Sequence, residues 1–205
     1  MDLSTTTQII LQNIPVFMRP TPEDGQKLRQ YNEFFTRYQS AVITGFYDLI
    51  YSDVAAHAHI TGMTRQQREM ILHEWYRVTM SAQFDDLYWN WQALMGIIRV
   101  KHNVPNSAVL SMWSWIMSFL QERLLEEYPP AEAQAVIHIL HKLHATVCGL
   151  IIESFIVTRQ EAITRASGLN DRILGRLVNI EIDQLVKQGQ TLVAEQTQLK
   201  MAAAA

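Results

Sequence analysis

The sequence predicts an all-α fold, and three observations support that prediction. Apolar residues recur at intervals of three and four along most of the chain, which is the spacing of one face of a helix. Sustained alternation of apolar and polar residues, the pattern of a half-buried strand, does not occur. Glycines and prolines are scarce and fall mainly between the periodic segments, where they would end helices.

The first half of the chain is expected to form a series of amphipathic helices. A short leading helix is expected over 5–12, before a stretch that contains prolines. Thr21 is a suitable N-cap, because a proline and two carboxylates follow it. Helical spacing then continues to Leu49, and we expect two helices that meet near Thr36. Thr64 is expected to begin the next helix.

The second half of the chain is expected to form longer helices. Two aspartates at 85–86 favour the start of a helix that ends before Pro105. A long helix is predicted over 106–128, and a pair of prolines separates it from a still longer one over 131–166. Gly168 is a natural residue to end that helix, because glycine adopts the left-handed conformation easily.

The C-terminal segment 169–200 has apolar residues at helical intervals with polar residues between them, which predicts a helix too polar to be core. Such a helix would lead into a downstream output module if the chain is a piece of a longer protein. The last residues, Met-Ala-Ala-Ala-Ala at 201–205, are interpreted as an appended tail. The expected parts are an N-terminal extension over 1–20, a main domain over 21–168, a linker or signalling helix over 169–200, and that tail.

Composition narrows the classes of function. A chain of 205 residues, 48% of them hydrophobic, can bury one core of its own. A formal charge of −3 provides no basic surface for nucleic acid. The apolar run over 109–120 contains serines and is shorter than the ~20 residues of a membrane span. Cys148 has no partner and the N-terminus shows no secretory signal, so we expect a cytoplasmic protein that binds neither nucleic acid nor membranes.

The residues that carry chemistry do not form an enzyme motif. Phosphate-binding loops, paired cysteines and hydrolase signatures are absent from the sequence, and we expect no catalytic activity. His138, His141 and His144 recur at intervals of three, which allows either a metal site or a polar stripe at an interface. The polar stripe is favoured, because no carboxylate stands beside these histidines.

Aromatic residues are concentrated in two consecutive predicted helices. Tyr88, Trp89 and Trp91 lie in the first of them, and Trp113 and Trp115 lie in the second. These side chains could line a planar cofactor, although aromatics at helical spacing more often form plain core. Both interpretations stay open at this point.

Several short motifs occur in a fixed order along the chain. They are FYDL at 46–49, SAQFDD at 81–86, Gly96, Val-Pro at 104–105, LIIESF at 150–155 and RQEA at 159–162. Together they resemble the sensor-globin (protoglobin-like) domain of globin-coupled sensors, and they are similar to those of heme-based oxygen-sensing diguanylate cyclases. The resemblance covers about residues 25–168 and depends on the order and spacing of the motifs, since each motif alone is weak.

The resemblance implies a globin-like three-on-three helical sandwich with an extra N-terminal helix and a C-terminal signalling helix. It also implies an N-terminal sensory domain in bacterial signal transduction. Such a domain would form a homodimer through the two long helices, 106–128 and 131–166. Its ligand would be a gas or an apolar small molecule, and any catalysis would lie in an output domain.

The resemblance also indicates where a heme would be held. In the family, iron is bound by a histidine six residues before the proline, and a distal tyrosine hydrogen-bonds bound oxygen. Tyr47 matches the distal residue, whereas the proximal position before Pro105 is Arg99. Arginine keeps its proton and has no lone pair for iron. We therefore expect a domain without heme.

The alternative is a sensor of oxygen or another gas that binds heme b, with His102 as the iron ligand. Helical periodicity places His102 on an apolar stripe with Trp91, Met95 and Ile98, and it places Arg99 on the margin of that stripe. A pocket without heme would be filled by apolar side chains or by an apolar ligand. Arg99 would then either bind a carboxylate of that ligand or face solvent.

Overall fold

The computed structural model of the chain describes residues 2–53, 62–102, 104–168 and 170–203. The described residues are almost entirely helical and contain no strand, so the predicted all-α class is confirmed. A short 3-10 helix, Val16–Met18, follows the first α-helix. The α-helices are α1 (Leu3–Asn13), α2 (Pro22–Arg29), α3 (Asn32–Ser52), α4 (Arg65–Met80), α5 (Asp86–Lys101), α6 (Asn106–Glu127), α7 (Pro130–Ser167) and α8 (Asp171–Ala203).

The predicted helix starts are confirmed by their capping hydrogen bonds. The backbone N–H of Asp24 donates to Oγ1 of Thr21 at 3.2 Å, and the Asp24 carboxylate accepts from the N–H of Thr21 at 2.9 Å. Thr64 forms the same reciprocal pair with Gln67 at the start of α4. Asp85 caps α5 by accepting a hydrogen bond from a backbone N–H in its first turn.

The predicted junction near Thr36 is wrong, because α3 is continuous through that position. The break lies earlier, at Tyr31, whose backbone leaves the helical conformation and whose hydroxyl donates to Glu132 of α7 at 2.6 Å. Phe34 and Phe35 are buried in the first turn of α3. Their packing holds an exposed β-branched threonine in a helix that its propensity alone would not favour.

Helix α3 is the centre of the N-terminal unit, which ends at Thr158. It packs against α4 and α6, while α1 packs against α5. The core is formed mainly by the inward faces of α3, α6 and α7. Its fully buried side chains include Phe34, Phe35, Ile43, Trp113, Ile116, Leu120, Leu124, Leu140 and Leu143.

Helix α7 is long and apolar enough, by length and composition alone, to cross a membrane. Half of its most apolar window is buried inside the protein, and helices in the cores of soluble proteins meet the same criterion. Gly168 follows this helix with a φ of +67°, as a glycine that ends a helix does.

The second compact unit begins at Arg159 and contains α8. Most of the large apolar side chains between Ile173 and Val193 are exposed.

Candidate functional site

The inward face of α5 decides what this helix can bind. Its buried residues are Tyr88, Trp89, Gln92, Ala93 and Gly96. The expected apolar stripe lies to one side of that face instead. Trp91 and Met95 are half-buried, Ile98 is 41% exposed, and His102 is exposed. The apolar stripe on which periodicity places His102 is therefore not the inward face of α5.

The small residues of α5 explain this rotation of the helix. A Cβ atom on Gly96 would lie 2.0 Å from Oγ of Ser154 and 2.3 Å from the carbonyl oxygen of Ile151, both on α7. Ser154 also donates its hydroxyl hydrogen to the carbonyl oxygen of Ala93 at 2.8 Å. Because only glycine permits this close approach, α5 turns Ala93 and Gly96 towards α7, and Trp91, Met95 and Ile98 lie to one side of that contact.

His102 is the C-cap residue of α5, at the end of the helix. Its backbone N–H donates to the carbonyl oxygen of Ile98 at 3.3 Å, and its side chain is exposed. An imidazole in this place is outside the core of the N-terminal unit.

Arg99 is half-buried and lies close enough to Cys148 of α7 for the two groups to interact electrostatically. One guanidinium nitrogen, Nη2, donates to the carbonyl oxygen of Pro105 at 2.9 Å, but the buried Nε–H has no hydrogen-bond partner. Burial lowers the pKa of Arg99 to about 10. No carboxylate in the described part of the chain forms an ion pair with it. Arg99 is therefore a desolvated cation that fastens the end of α5 to the following loop.

Tyr47 lies on α3, at the position that matches the distal residue. Its ring is half-buried and packs against Phe46 and Tyr51, with ring centroids 5.2 and 6.3 Å away. Burial raises the pKa of Tyr47 to about 12, and the charge of Arg68 on α4 opposes this rise. Tyr47 therefore keeps its phenolic proton and is a hydrogen-bond donor at any physiological pH.

The interior between four helices contains a connected series of side chains, which we call the indole series: Gln92, Trp75, Trp113 and His144. Nε1–H of Trp75 on α4 donates to Oε1 of Gln92 on α5 at 3.1 Å. The rings of Trp75 and Trp113 of α6 meet edge to face at 5.2 Å. Trp113 in turn lies 5.4 Å from the ring of His144 on α7. Of these contacts, the sequence indicated only that Trp113 belongs to an aromatic cluster.

A surface groove of about 400 Å³ lies between the end of α4 and the start of α5. Its lining includes the apolar side chains of Val78, Tyr88 and Trp91 and the carboxylates of Glu74 and Asp85. Trp91 is the sequence-predicted site residue that lines this groove. Arg99 and His102 do not line it.

A heme held by α5 needs an inward iron ligand on that helix and space beside it. Arg99 cannot supply a lone pair, and His102 is exposed at the helix end. Trp75 and Trp113 occupy the interior that α4, α6 and α7 enclose. These residues do not fit a heme bound through α5.

The histidines of α7 form a polar stripe. His138 and His141 are exposed and His144 is half-buried. Within the described residues, no group of three or more His, Cys, Asp or Glu side chains is placed to hold a metal ion.

Comparisons with known proteins agree with this architecture. The family model described as Protoglobin matches residues 10–161. Among solved structures, the chain is similar to the globin domain of a globin-coupled sensor from Geobacter sulfurreducens, with a TM-score of 0.61 and 14% sequence identity over 66% of this chain and 90% of that one. The globin-like fold is therefore confirmed. A search of curated proteins finds no significant match.

Proposed function

This chain belongs to the protoglobin family, and we propose that it is the sensory and dimerisation domain of a bacterial signal-transduction protein and works without heme. One observation carries the proposal: α5 offers no inward iron ligand. Its proximal position is occupied by the desolvated cation Arg99, which binds the carbonyl oxygen of Pro105. The domain itself would catalyse no reaction, and any catalysis would belong to an output module.

Adding hemin to the purified protein tests this proposal directly. We expect no Soret band beyond that of free hemin, because neither Arg99 nor His102 is placed to bind iron from the interior. The variant His102→Ala should behave like wild type, and so should His138→Ala as a matched exposed histidine. A Soret band that is present in wild type and lost only in His102→Ala would overturn the proposal in favour of the heme b sensor.

We also propose that the domain forms a homodimer through α6 and α7. Both helices expose large apolar side chains, and Ile156 of α7 is 48% exposed. Leu110 and Leu125 of α6 are 44% and 47% exposed, and serines stand between them. Small side chains allow two helices to approach closely, and exposed leucines gain free energy when a second copy covers them.

Light scattering after size-exclusion chromatography measures the oligomeric state. Leu110→Glu should shift the protein from dimer to monomer, because it places a charge in the contact. Leu87→Glu is the matched control, since Leu87 is 78% exposed on α5 and lies outside the proposed interface. A monomeric wild type, or an equal effect of the two substitutions, would contradict the dimer.

The signal would pass along α7 into α8, whose exposed apolar residues suit a connection to an output module. We propose an apolar small molecule rather than an iron-bound gas as the ligand, and a cytoplasmic location for a protein whose one cysteine is free. A ligand that binds only the folded state raises Tm by mass action. A panel of fatty acids that leaves Tm unchanged would instead favour a domain with a purely structural role.

A further inference from the structure

We infer that the indole series, Gln92–Trp75–Trp113–His144, takes the structural place of a heme by filling the interior that α4, α5, α6 and α7 surround. The inference rests on the proposed heme-independent function and goes beyond it. It states that the missing iron ligand is not the only obstacle to heme, because the protein's own side chains occupy the space. Restoring a histidine at position 99 alone would then not restore heme binding.

The indole series connects four helices through its side-chain contacts. Each of the four side chains comes from a different helix, and each touches the next at 3.1, 5.2 and 5.4 Å in turn. A prosthetic group in a helical fold joins the helices around it by contacting them all at once. Here, four side chains make the connection from α5 to α7.

Both indoles of the series are deeply buried. Trp113 is 0% exposed and Trp75 is 5% exposed, so both indoles are core elements and neither is a lid that swings aside at the surface. Protein interiors are close-packed, so the space that these two indoles fill is not available to another planar group. Trp113 is also the largest of the fully buried side chains.

The polar atoms of the two indoles differ, and this difference makes the inference testable. Nε1–H of Trp75 donates to Gln92, whose amide in turn donates to Oγ1 of Thr79 at 3.5 Å. The hydroxyl of Tyr88 donates to the same Thr79 oxygen at 3.4 Å. Nε1–H of Trp113 has no partner. We therefore expect Trp75 to stabilise the fold through both the packing of its ring and its N–H hydrogen bond, and Trp113 through the packing of its ring alone.

The first test uses Arg99→His, with folding checked by circular dichroism. We expect this variant to bind hemin no better than wild type, because the indole series still fills the interior. A Soret band in Arg99→His with none in wild type would overturn the inference and leave the proposed heme-independent function intact. A Soret band in wild type would instead refute the proposed function, so the two failures are distinguishable.

The second test removes one indole at a time and adds it back as a small molecule. Trp113→Gly and Trp75→Gly should each unfold at lower temperature than wild type, and added indole should raise the Tm of each variant while leaving wild type unchanged. Benzothiophene has the same shape without the N–H. It should rescue Trp113→Gly as well as indole does, but it should rescue Trp75→Gly less well.

The rescue experiment can either support or overturn the inference that the indoles fill the interior. Rescue by both compounds at position 113, with a preference for indole at position 75, supports the assignment of a filled interior with one polar and one purely steric indole. Failure of indole to raise Tm in either variant would overturn it. If a glycine variant does not fold, Trp113→Phe and Trp75→Phe replace it, and an unchanged Tm in both would equally overturn the inference.

Discussion

Gly96 of α5 and Ser154 of α7 approach so closely that a Cβ atom on the glycine would lie 2.0 Å from the serine Oγ. The two helices cross here with no side chain from α5 between them. The same serine hydroxyl donates to the carbonyl oxygen of Ala93 and ties the crossing together. This contact sets the rotation of α5, and with it the positions of Arg99 and His102.

Gly96→Ala should destabilise the fold by about 2–3 kcal/mol, because the added methyl group meets backbone atoms of α7 that cannot move aside easily. Urea unfolding followed by circular dichroism measures the change. The matched control is Gly149→Ala, where the new Cβ would meet only the end of the Ile14 side chain, at 3.0 Å. The control should stay within about 1 kcal/mol of wild type, since alanine also favours the helix. Equal losses in both variants would contradict the close crossing.

Arg99→Met should leave the free energy of unfolding within about 1 kcal/mol of wild type or raise it. Methionine keeps much of the apolar stem and removes a buried charge that has no carboxylate partner. Arg99→Ala is the comparison, and it should be less stable than Arg99→Met because it also loses the packing of the stem. If Arg99→Met is instead clearly less stable than wild type, the guanidinium itself stabilises the fold.

His144 should make the stability of the protein depend on pH. Burial, helped by the charge of His141, lowers the pKa of His144 below its ordinary 6.5, so the fold disfavours the charged form. The unfolded chain binds the proton more readily, and the contribution of His144 is therefore complete above pH 6.5 and is lost as the pH falls below it. His144→Gln should lose less stability than wild type between pH 7.5 and pH 5. His138→Gln, at an exposed histidine, should retain the wild-type dependence.

Cys148 should react slowly with thiol reagents in the folded protein. Burial raises the pKa of this thiol to about 12, so very little of the reactive thiolate exists at pH 8. Labelling with a chromogenic disulfide should follow the unfolding of the chain and become rapid in urea. Fast labelling under native conditions would show that the contact between α5 and α7 opens locally near Arg99.

Most of the fold could be predicted from sequence, because capping residues and helical spacing are local signals. Helices begin in the structure at the predicted caps Thr21 and Thr64 and at the aspartates at 85–86. The rotation of α5 could not be predicted in the same way. Bulky apolar residues such as Trp91, Met95 and Ile98 indicate a buried face by their spacing, but this face is not the one that contacts α7. The contact face is instead marked by Ala93 and Gly96, whose small size matters only once α7 is known to lie against them.

The indole series could not be predicted because it depends on which helices meet. Trp75 and Trp113 are 38 positions apart, and nothing in the spacing of either helix pairs them. The exclusion of Arg99 as an iron ligand depends on its chemistry alone and stays a prediction. The desolvation of its guanidinium depends on α7, so that property appears only in three dimensions.

The contact between Trp113 and His144 also makes the fluorescence of the buried tryptophans sensitive to this histidine. A protonated imidazole quenches the emission of an indole against which it lies, and a neutral imidazole does so much less. Trp75, with its ring centroid 5.2 Å from that of Trp113, can pass excitation to it by energy transfer. The emission of this pair therefore responds to the charge of His144 on α7, which gives the domain a spectroscopic signal from its own residues.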